Sequence, residues 1–223
     1  MIITIDGPSG VGKGTVARAV ASALGIRHVD TGAMYRAVAW RAEQLGLSLD
    51  DEDGIAGLAA AATIEIDGSD IRIDGADASH AIRTPEIDRA TTRVARLPRV
   101  REALVARQRA IAESDGVVME GRDIGTVVFP NADVKIYLDA SPEERARRRA
   151  HDPAHASSQT QALADIAQAM QRRDENDRTR QASPLMVAMD ATTIDTTNLP
   201  IQHVVERVLV IVRAQQDRRA ESA

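Results

Sequence analysis

The stretch Gly7-Pro-Ser-Gly-Val-Gly-Lys-Gly-Thr15 constrains this chain more than any other. The apolar run Ile2–Asp6 before it reads as a short buried strand. After it, Val16, Ala19, Val20, Ala23 and Leu24 recur at helical spacing, which predicts a helix from Thr15 to Leu24 capped by Gly25. Gly7, Gly10, Gly12 and Gly14 let the backbone approach a ligand closely. The N–H groups of such a turn cradle an anion, the helix start adds partial positive charge, and Lys13 adds a full one. The spacing Gly7-x4-Gly12-Lys13 between a strand and a helix is that of the phosphate-binding loop of nucleotide triphosphatases. Gly7, Pro8, Ser9, Gly10, Val11, Gly12, Lys13, Gly14 and Thr15 are therefore expected to hold a nucleotide's phosphates.

One detail departs from the usual form. Gly14 follows the lysine, and the hydroxyl arrives one place later at Thr15. That arrangement resembles nucleoside monophosphate kinases. Thr15 is then the candidate for the magnesium shell, although the same residue could simply start the helix. The chain has no Asn-Lys-x-Asp base-reading motif, and no hydrophobic run ends in Asp-x-x-Gly, so a switch-type GTPase is not favoured.

Further strands are expected at Ile26–Val29, Val117–Glu120, Val134–Asp139 and Thr192–Asp195. Helices are expected at about 33–44, 51–62, 85–96, 99–112, from Ser141, 160–174 and 201–213, with a fraying tail at 214–223. Ile64, Ile66, Ile71 and Ile73 alternate with polar residues around Gly68-Ser69 and Asp74-Gly75, which predicts a small antiparallel hairpin patch over 63–83. Strands alternating with helices imply a parallel central sheet with helices on both faces. Ligands then sit beyond the carboxyl ends of the strands. The loop, Asp30-Thr31-Gly32, Gly121-Arg122-Asp123 and Asp139-Ala140-Ser141 all follow strands and share that rim. One chain of three parts is expected: a core at about 1–62, 98–150 and 161–223, an insertion at about 63–97, and a lid at about 151–160.

Composition narrows the function. The 223 residues contain no cysteine, which removes disulfides, zinc–thiolate sites and cysteine nucleophiles and suits a reducing, cytoplasmic setting. The formal charge of −5 disfavours general binding to nucleic acid or anionic membrane, and 2% aromatics leave no stacking platform for single strands. No apolar run approaches the roughly 18 residues that span a bilayer. Yet arginines cluster at Arg145, Arg147, Arg148 and Arg149, and at Arg172, Arg173, Arg178 and Arg180. Such clusters fit a small anionic ligand, or else solvated helix faces. Arg36, one turn into the helix that follows Asp30-Thr31, could face a second phosphate with the helix start, or be a surface arginine beside an ordinary cap.

Taken together, Gly7–Thr15, Asp30–Arg36, Ile82-Arg-Thr84, Pro98–Ala103, Gly121–Pro130, Tyr137–Ser141 and Arg173–Arg180 resemble the bacterial cytidylate kinase family, in the same order and over nearly the whole chain. The resemblance implies a P-loop kinase that moves phosphate from ATP to CMP or dCMP with Mg2+. By the same resemblance Thr31 and Arg36 hold the CMP phosphate side, and Arg122 and Arg180 also contact phosphate. Asp123, Thr92 and Arg101 read cytosine, and Arg173 and Asp177 sit at the sugar. Lys13, Arg122 and Arg180 are the expected catalytic set. Arg145, Arg147, Arg148 and Arg149 are candidates for the transferred group, and spacing does not choose among them. The family often has serine at Thr31 and Thr92 and aspartate at Glu120, so Glu120 is left out of the catalytic set.

The base chemistry agrees with this. A carboxylate such as Asp123 accepts from the N4 amino group of cytosine, whereas uracil presents an oxygen there. A buried mismatch of that kind discriminates strongly. The alternatives are a kinase for UMP, AMP or shikimate, and a nucleotide-binding regulator that transfers nothing. Small-molecule substrates, no membrane, no nucleic-acid polymer and a monomer are expected.

Overall fold

The computed structural model describes residues 1–68, 70–113, 116–152 and 162–221. Five parallel strands form the central sheet: β1 (Ile2–Asp6), β2 (Arg27–Asp30), β6 (Val117–Gly121), β7 (Val134–Asp139) and β8 (Thr192–Asp195), in the order β2-β6-β1-β7-β8. All five residues of β6 are buried, and β1 is buried from Ile3 onward, as central strands covered on both faces must be. The crossovers run through α1 (Lys13–Leu24), α2 (Thr31–Gln44), α6 (Pro142–Ala150) and α7 (Leu163–Thr179), and α8 (Ile201–Glu221) follows the last strand. Gly7 follows β1 at φ 147°, where a Cβ would run into the carbonyl oxygen of Leu138 on β7. The chain can therefore leave β1 for the loop only through glycine.

Between α2 and β6 lie α3 (Glu52–Ala61), the short strands β3 (Ile64–Asp67), β4 (Asp70–Ile73) and β5 (Ala76–Asp77), a 3-10 turn at Ala81–Arg83, α4 (Pro85–Val94) and α5 (Pro98–Ile111). The expected hairpin is a three-stranded antiparallel sheet, β3-β4-β5. Asp74 and Gly75 both take positive φ, 51° and 77°, the tight turn that returns the chain along β4. Ile71 and Ile73 face inward and join α2, α4 and α5 in one core. A second core lies on the other face of the sheet, where α1 and α8 pack Val16, Val20, Val204 and Val208 against Ile3, Ile5 and Leu138.

Two expectations need correction. The helix expected to end at Asp174 runs to Thr179, because Asp174 and Asp177 face inward and belong to its buried side. The tail expected to fray from 214 is helical to Glu221: its residues are strong helix formers, and Arg219 pairs with Asp133. Residues Ile124–Val128, for which the sequence predicts no element, form a single π-helical turn. The carboxylate of Asp6 holds that turn, accepting from the N–H groups of Ile124 at 2.9 Å and Gly125 at 2.7 Å. Of the stretch expected to form a lid, only 151–152 are described.

Candidate active site

The loop is gripped from below. Ser9 N–H donates to Asp174 at 3.0 Å, and Arg145 donates to the Ser9 carbonyl at 3.1 Å while pairing with Asp174. Arg148 donates to the carbonyls of Val11 and Thr196. Lys13 is 7% exposed, and its Nζ donates to the Pro8 carbonyl at 2.7 Å. Burial, aided by the nearby Arg122 guanidinium, pushes its pKa down from 10.5 to about 7. The carboxylates of Glu120, Asp174 and Asp6 only partly offset that penalty.

Gly14 now has a reason. A Cβ on it would lie 2.9 Å from Oε1 of Glu120, whose buried carboxylate rests against the loop from β6. The residue after Lys13 is small because a carboxylate occupies the space its side chain would take. Nε2 of His28 lies 3.3 Å from the same Oε1. Sequence reasoning set Glu120 aside, and only the three-dimensional pairing with Gly14 brings it back.

Across from the loop stands a wall of guanidinium–carboxylate pairs. Asp30 caps α2, accepting from Ala33 N–H at 3.0 Å, and takes Arg36 at 2.8 Å. The cap is therefore ordinary, but Arg36 is not a surface arginine: it is half-buried and lines the cleft. Thr31 donates to the Glu120 carbonyl at 2.7 Å. Arg122 reaches Asp177 at 3.0 Å. Burial raises the Asp177 carboxyl, but Arg122, Arg173 and Arg180 outweigh it and hold it below the usual range. Asp123, 5% exposed, accepts from Arg101 through Oδ2 and from Arg180 through Oδ1 at 3.3 Å. Arg101 is 3% exposed and lies over the Tyr35 ring at 5.3 Å from its centroid, so it is no surface arginine. Asp88 on α4 joins Arg173 at 2.9 Å with Arg149, a link that helical periodicity in the sequence did not single out. Thr92 donates to the Asp88 carbonyl one turn back along α4.

Loop and wall line a single cleft of about 1180 Å3, room for two nucleotide-sized ligands. Ser9 to Thr15 form one side of it. Thr31, Arg36, Thr92, Arg101, Arg122, Asp123, Arg173, Asp177 and Arg180 all line the rest. Gly7 and Pro8 lie behind the lining residues. Among the clustered arginines, Arg147, Arg148 and Arg149 reach the cleft, whereas Arg145 is turned under the loop. Arg147 and Arg148 both bond Glu144 at 2.7 Å.

The donor set suits magnesium only in company with phosphates. Among the described residues no three His, Asp or Glu side chains cluster as a metal cage. The loop offers the Thr15 hydroxyl, exposed to the cleft, and the Glu120 carboxylate. Magnesium keeps waters and takes phosphate oxygens with one or two protein ligands, so this sparse set fits it.

A family model described as cytidylate kinase matches residues 3–214. A cytidylate kinase of Desulfitobacterium hafniense (strain Y51) is 49% identical over 210 residues, covering 93% of this chain and 90% of the relative. A cytidylate kinase of Solibacter usitatus (strain Ellin6076) is 47% identical over 221 residues, covering 96% of this chain and 93% of the relative. Among solved structures, a gluconokinase from Sinorhizobium meliloti 1021 superposes with a TM-score of 0.52 at 16% identity, covering 99% of this chain and 97% of that one. That likeness is one of fold: a parallel-sheet P-loop kinase.

Proposed function

The chain belongs to the cytidylate kinase family, a kinase of CMP and dCMP, and we propose the residue roles by which this cleft carries the γ-phosphate of ATP to the acceptor. The observation that carries the reading is the facing pair of sites. A phosphate loop with an anion-seeking Lys13 lies opposite a wall that holds Asp123 between two buried guanidiniums.

Ser9 to Thr15 cradle the ATP phosphates, and Lys13 neutralises charge on the moving group. Arg36, with the α2 N-terminus behind Thr31, holds the acceptor's phosphate, and Arg122 and Arg180 swing from Asp177 and Asp123 toward it. Freed in part, Asp123 accepts from N4 of cytosine, while Arg101 and Thr92 donate to its acceptor edge. Asp177 and Arg173 meet the sugar. A phosphate oxygen of CMP then attacks the γ-phosphorus in line, and ADP leaves. The protein's work is positioning and charge neutralisation, so no covalent intermediate is involved. Thr15, with Glu120 behind Gly14, would hold the Mg2+, which would supply positive charge against the ATP phosphates. Arg148 or Arg149 supplies the last cation from α6. The insertion at about 63–97 carries the acceptor-side helix α4, and water exclusion protects ATP from hydrolysis. A cytoplasmic monomer fits a chain without cysteines and, among the described residues, without a helix long and apolar enough to cross a membrane.

A coupled assay of ADP release with CMP, dCMP, UMP and AMP tests the reading. CMP and dCMP should be turned over well ahead of UMP and AMP. Turnover of neither cytidine nucleotide would reject the proposal, and equal rates with UMP would remove the role of Asp123.

A further inference from the structure

Arg83, the centre of Ile82-Arg-Thr84, has no part in the scheme above. We propose that Arg83 is a further ligand of the acceptor's phosphate, gripping it from the insertion while Arg36 grips it from the core. The inference rests on the reading of this cleft as the CMP site.

The local structure is built to hold this side chain. Ile82 is fully buried and anchors the 3-10 turn. Thr84 caps α4, accepting from Ile87 N–H at 3.3 Å, and Pro85 occupies the first turn. Between these two fixed neighbours, half-buried Arg83 lines the cleft. Its Nε donates to the Ser79 carbonyl at 3.2 Å, which orients the guanidinium. Neither Nη has a hydrogen bond or ion pair among the described residues.

That sets Arg83 apart on this wall. Arg36 is bound to Asp30, Arg101 and Arg180 to Asp123, Arg122 to Asp177, and Arg149 and Arg173 to Asp88. Arg83 alone among them presents its planar two-nitrogen edge without a carboxylate, the edge that matches phosphate oxygens. It also stands in the field of Arg36. Burial weakens its hold on its proton, Arg36 and Arg18 weaken it further, and Asp30 and Asp152 oppose them. Two like charges so placed repel until an anion enters between them, and a phosphate dianion relieves both. The geometry also accounts for a cation on a turn that otherwise serves only to start α4.

A purely structural role, tying the turn to Ser79, is the competing account. Arg83→Gln and Arg83→Lys separate the two when titrated calorimetrically with CMP and with cytidine, which lacks the phosphate. Loss of one charge-assisted phosphate contact should weaken CMP about tenfold to a hundredfold in Arg83→Gln. Cytidine affinity should stay within about twofold, because base and sugar contacts are untouched. Arg83→Lys, keeping the charge, should lose less CMP affinity; it carries the comparison alone if the glutamine variant does not fold. Equal losses for CMP and cytidine would assign Arg83 to the scaffold and overturn the proposal, as would unchanged CMP affinity. Failure of the unaltered protein to bind CMP would overturn the wider reading and this one together. Normal CMP turnover by an unaffected Arg83→Gln would sink this one alone.

Discussion

Lys13 should take up a proton when the donor nucleotide binds. Its ammonium is buried against the Pro8 carbonyl with no phosphate to pair with, and its pKa falls from 10.5 to about 7. Placing the donor's phosphates beside it restores a counter-charge and returns the pKa toward its ordinary value of about 10.4. At pH 8 roughly nine-tenths of the unliganded lysines are neutral, so each binding event should draw about 0.9 proton; at pH 7 about 0.5, and at pH 6 under about 0.1. Calorimetric titration with an unreactive ATP analogue and Mg2+, repeated in buffers of different ionisation enthalpy, reads this number directly. Lys13→Met provides the baseline for protonation of the ligand itself, and the difference between the two proteins is the quantity of interest. The unliganded protein carries the mirror image of the effect. Its unfolded chain binds more protons than the fold between pH 7 and 10.5, so this group makes stability rise with pH across that window. Equal proton uptake by the lysine and methionine proteins at pH 8 would refute the argument that Lys13 is an anion-starved ammonium.

Other perturbations test the remaining parts. Lys13→Ala should lower kcat by on the order of 10²–10³, as expected for a major transition-state donor, and near-normal turnover would remove its role. Asp123→Ala strands Arg101 and Arg180 in a buried site; it should cost about 3–5 kcal/mol of stability in denaturant unfolding and narrow the CMP-to-UMP ratio of kcat/KM. An unchanged ratio in the folded variant would count against base reading. Gly14→Ala presses a methyl against Glu120, so KM for ATP should rise, and an unchanged KM would count against the crowding argument. Burial raises Asp6 from 3.8 to about 6 despite its two N–H bonds. The fold therefore binds more protons than the unfolded chain between pH 4 and 6, and this group makes stability fall with rising pH there. Removal of that slope in Asp6→Ser, measured as Tm against pH, checks it.

How far the sequence reveals this site depends on what kind of contact each part makes. The loop was legible because its glycines, lysine and flanking periodicities are consecutive. Arg36, Arg122 and Arg180 were visible as candidates from their place after strands and in arginine clusters, but only the resemblance gave them separate roles, since they stand far apart and each looks like any helix or loop arginine. Glu120 stayed hidden because its meaning lies in the space above Gly14, which no one-dimensional pattern shows. Asp174 and Asp88 were hidden for a related reason. Both sit in charged helical stretches where solvated acids are the ordinary case, and only tertiary packing turns them inward beneath the loop and between Arg149 and Arg173. The π-helical turn at Ile124–Val128 depends on Asp6, over a hundred residues away in sequence, and local propensity contains nothing of that.

Asp6 also shows how the two half-sites are kept in register. It ends β1, the strand that delivers the phosphate loop, and its carboxylate grips the turn that follows Arg122-Asp123. The phosphate loop and the turn after Arg122-Asp123 therefore hang from one residue, and a shift of either is resisted by two buried hydrogen bonds. The acceptor wall is built on a different principle. Arg83 apart, its arginines are too buried to stand alone, and Arg36, Arg101, Arg122, Arg173 and Arg180 are each held by an aspartate. A buried guanidinium without a partner costs several kcal/mol, so these carboxylates keep the empty cleft intact. In the scheme proposed above they would also act as a filter. An incoming ligand must offer Arg36, Arg122 and Arg180 oxygens at least as good as those of Asp30, Asp177 and Asp123, which a phosphate dianion does and a nucleoside does not. Having yielded its arginines, the freed Asp123 needs a donor of its own, and the amino group of cytosine is one where the oxygen of uracil is not. On that proposal phosphate capture and base choice are one exchange of partners on a single wall, so a nucleotide with the wrong base would leave a buried carboxylate unpaired even when its phosphate binds well.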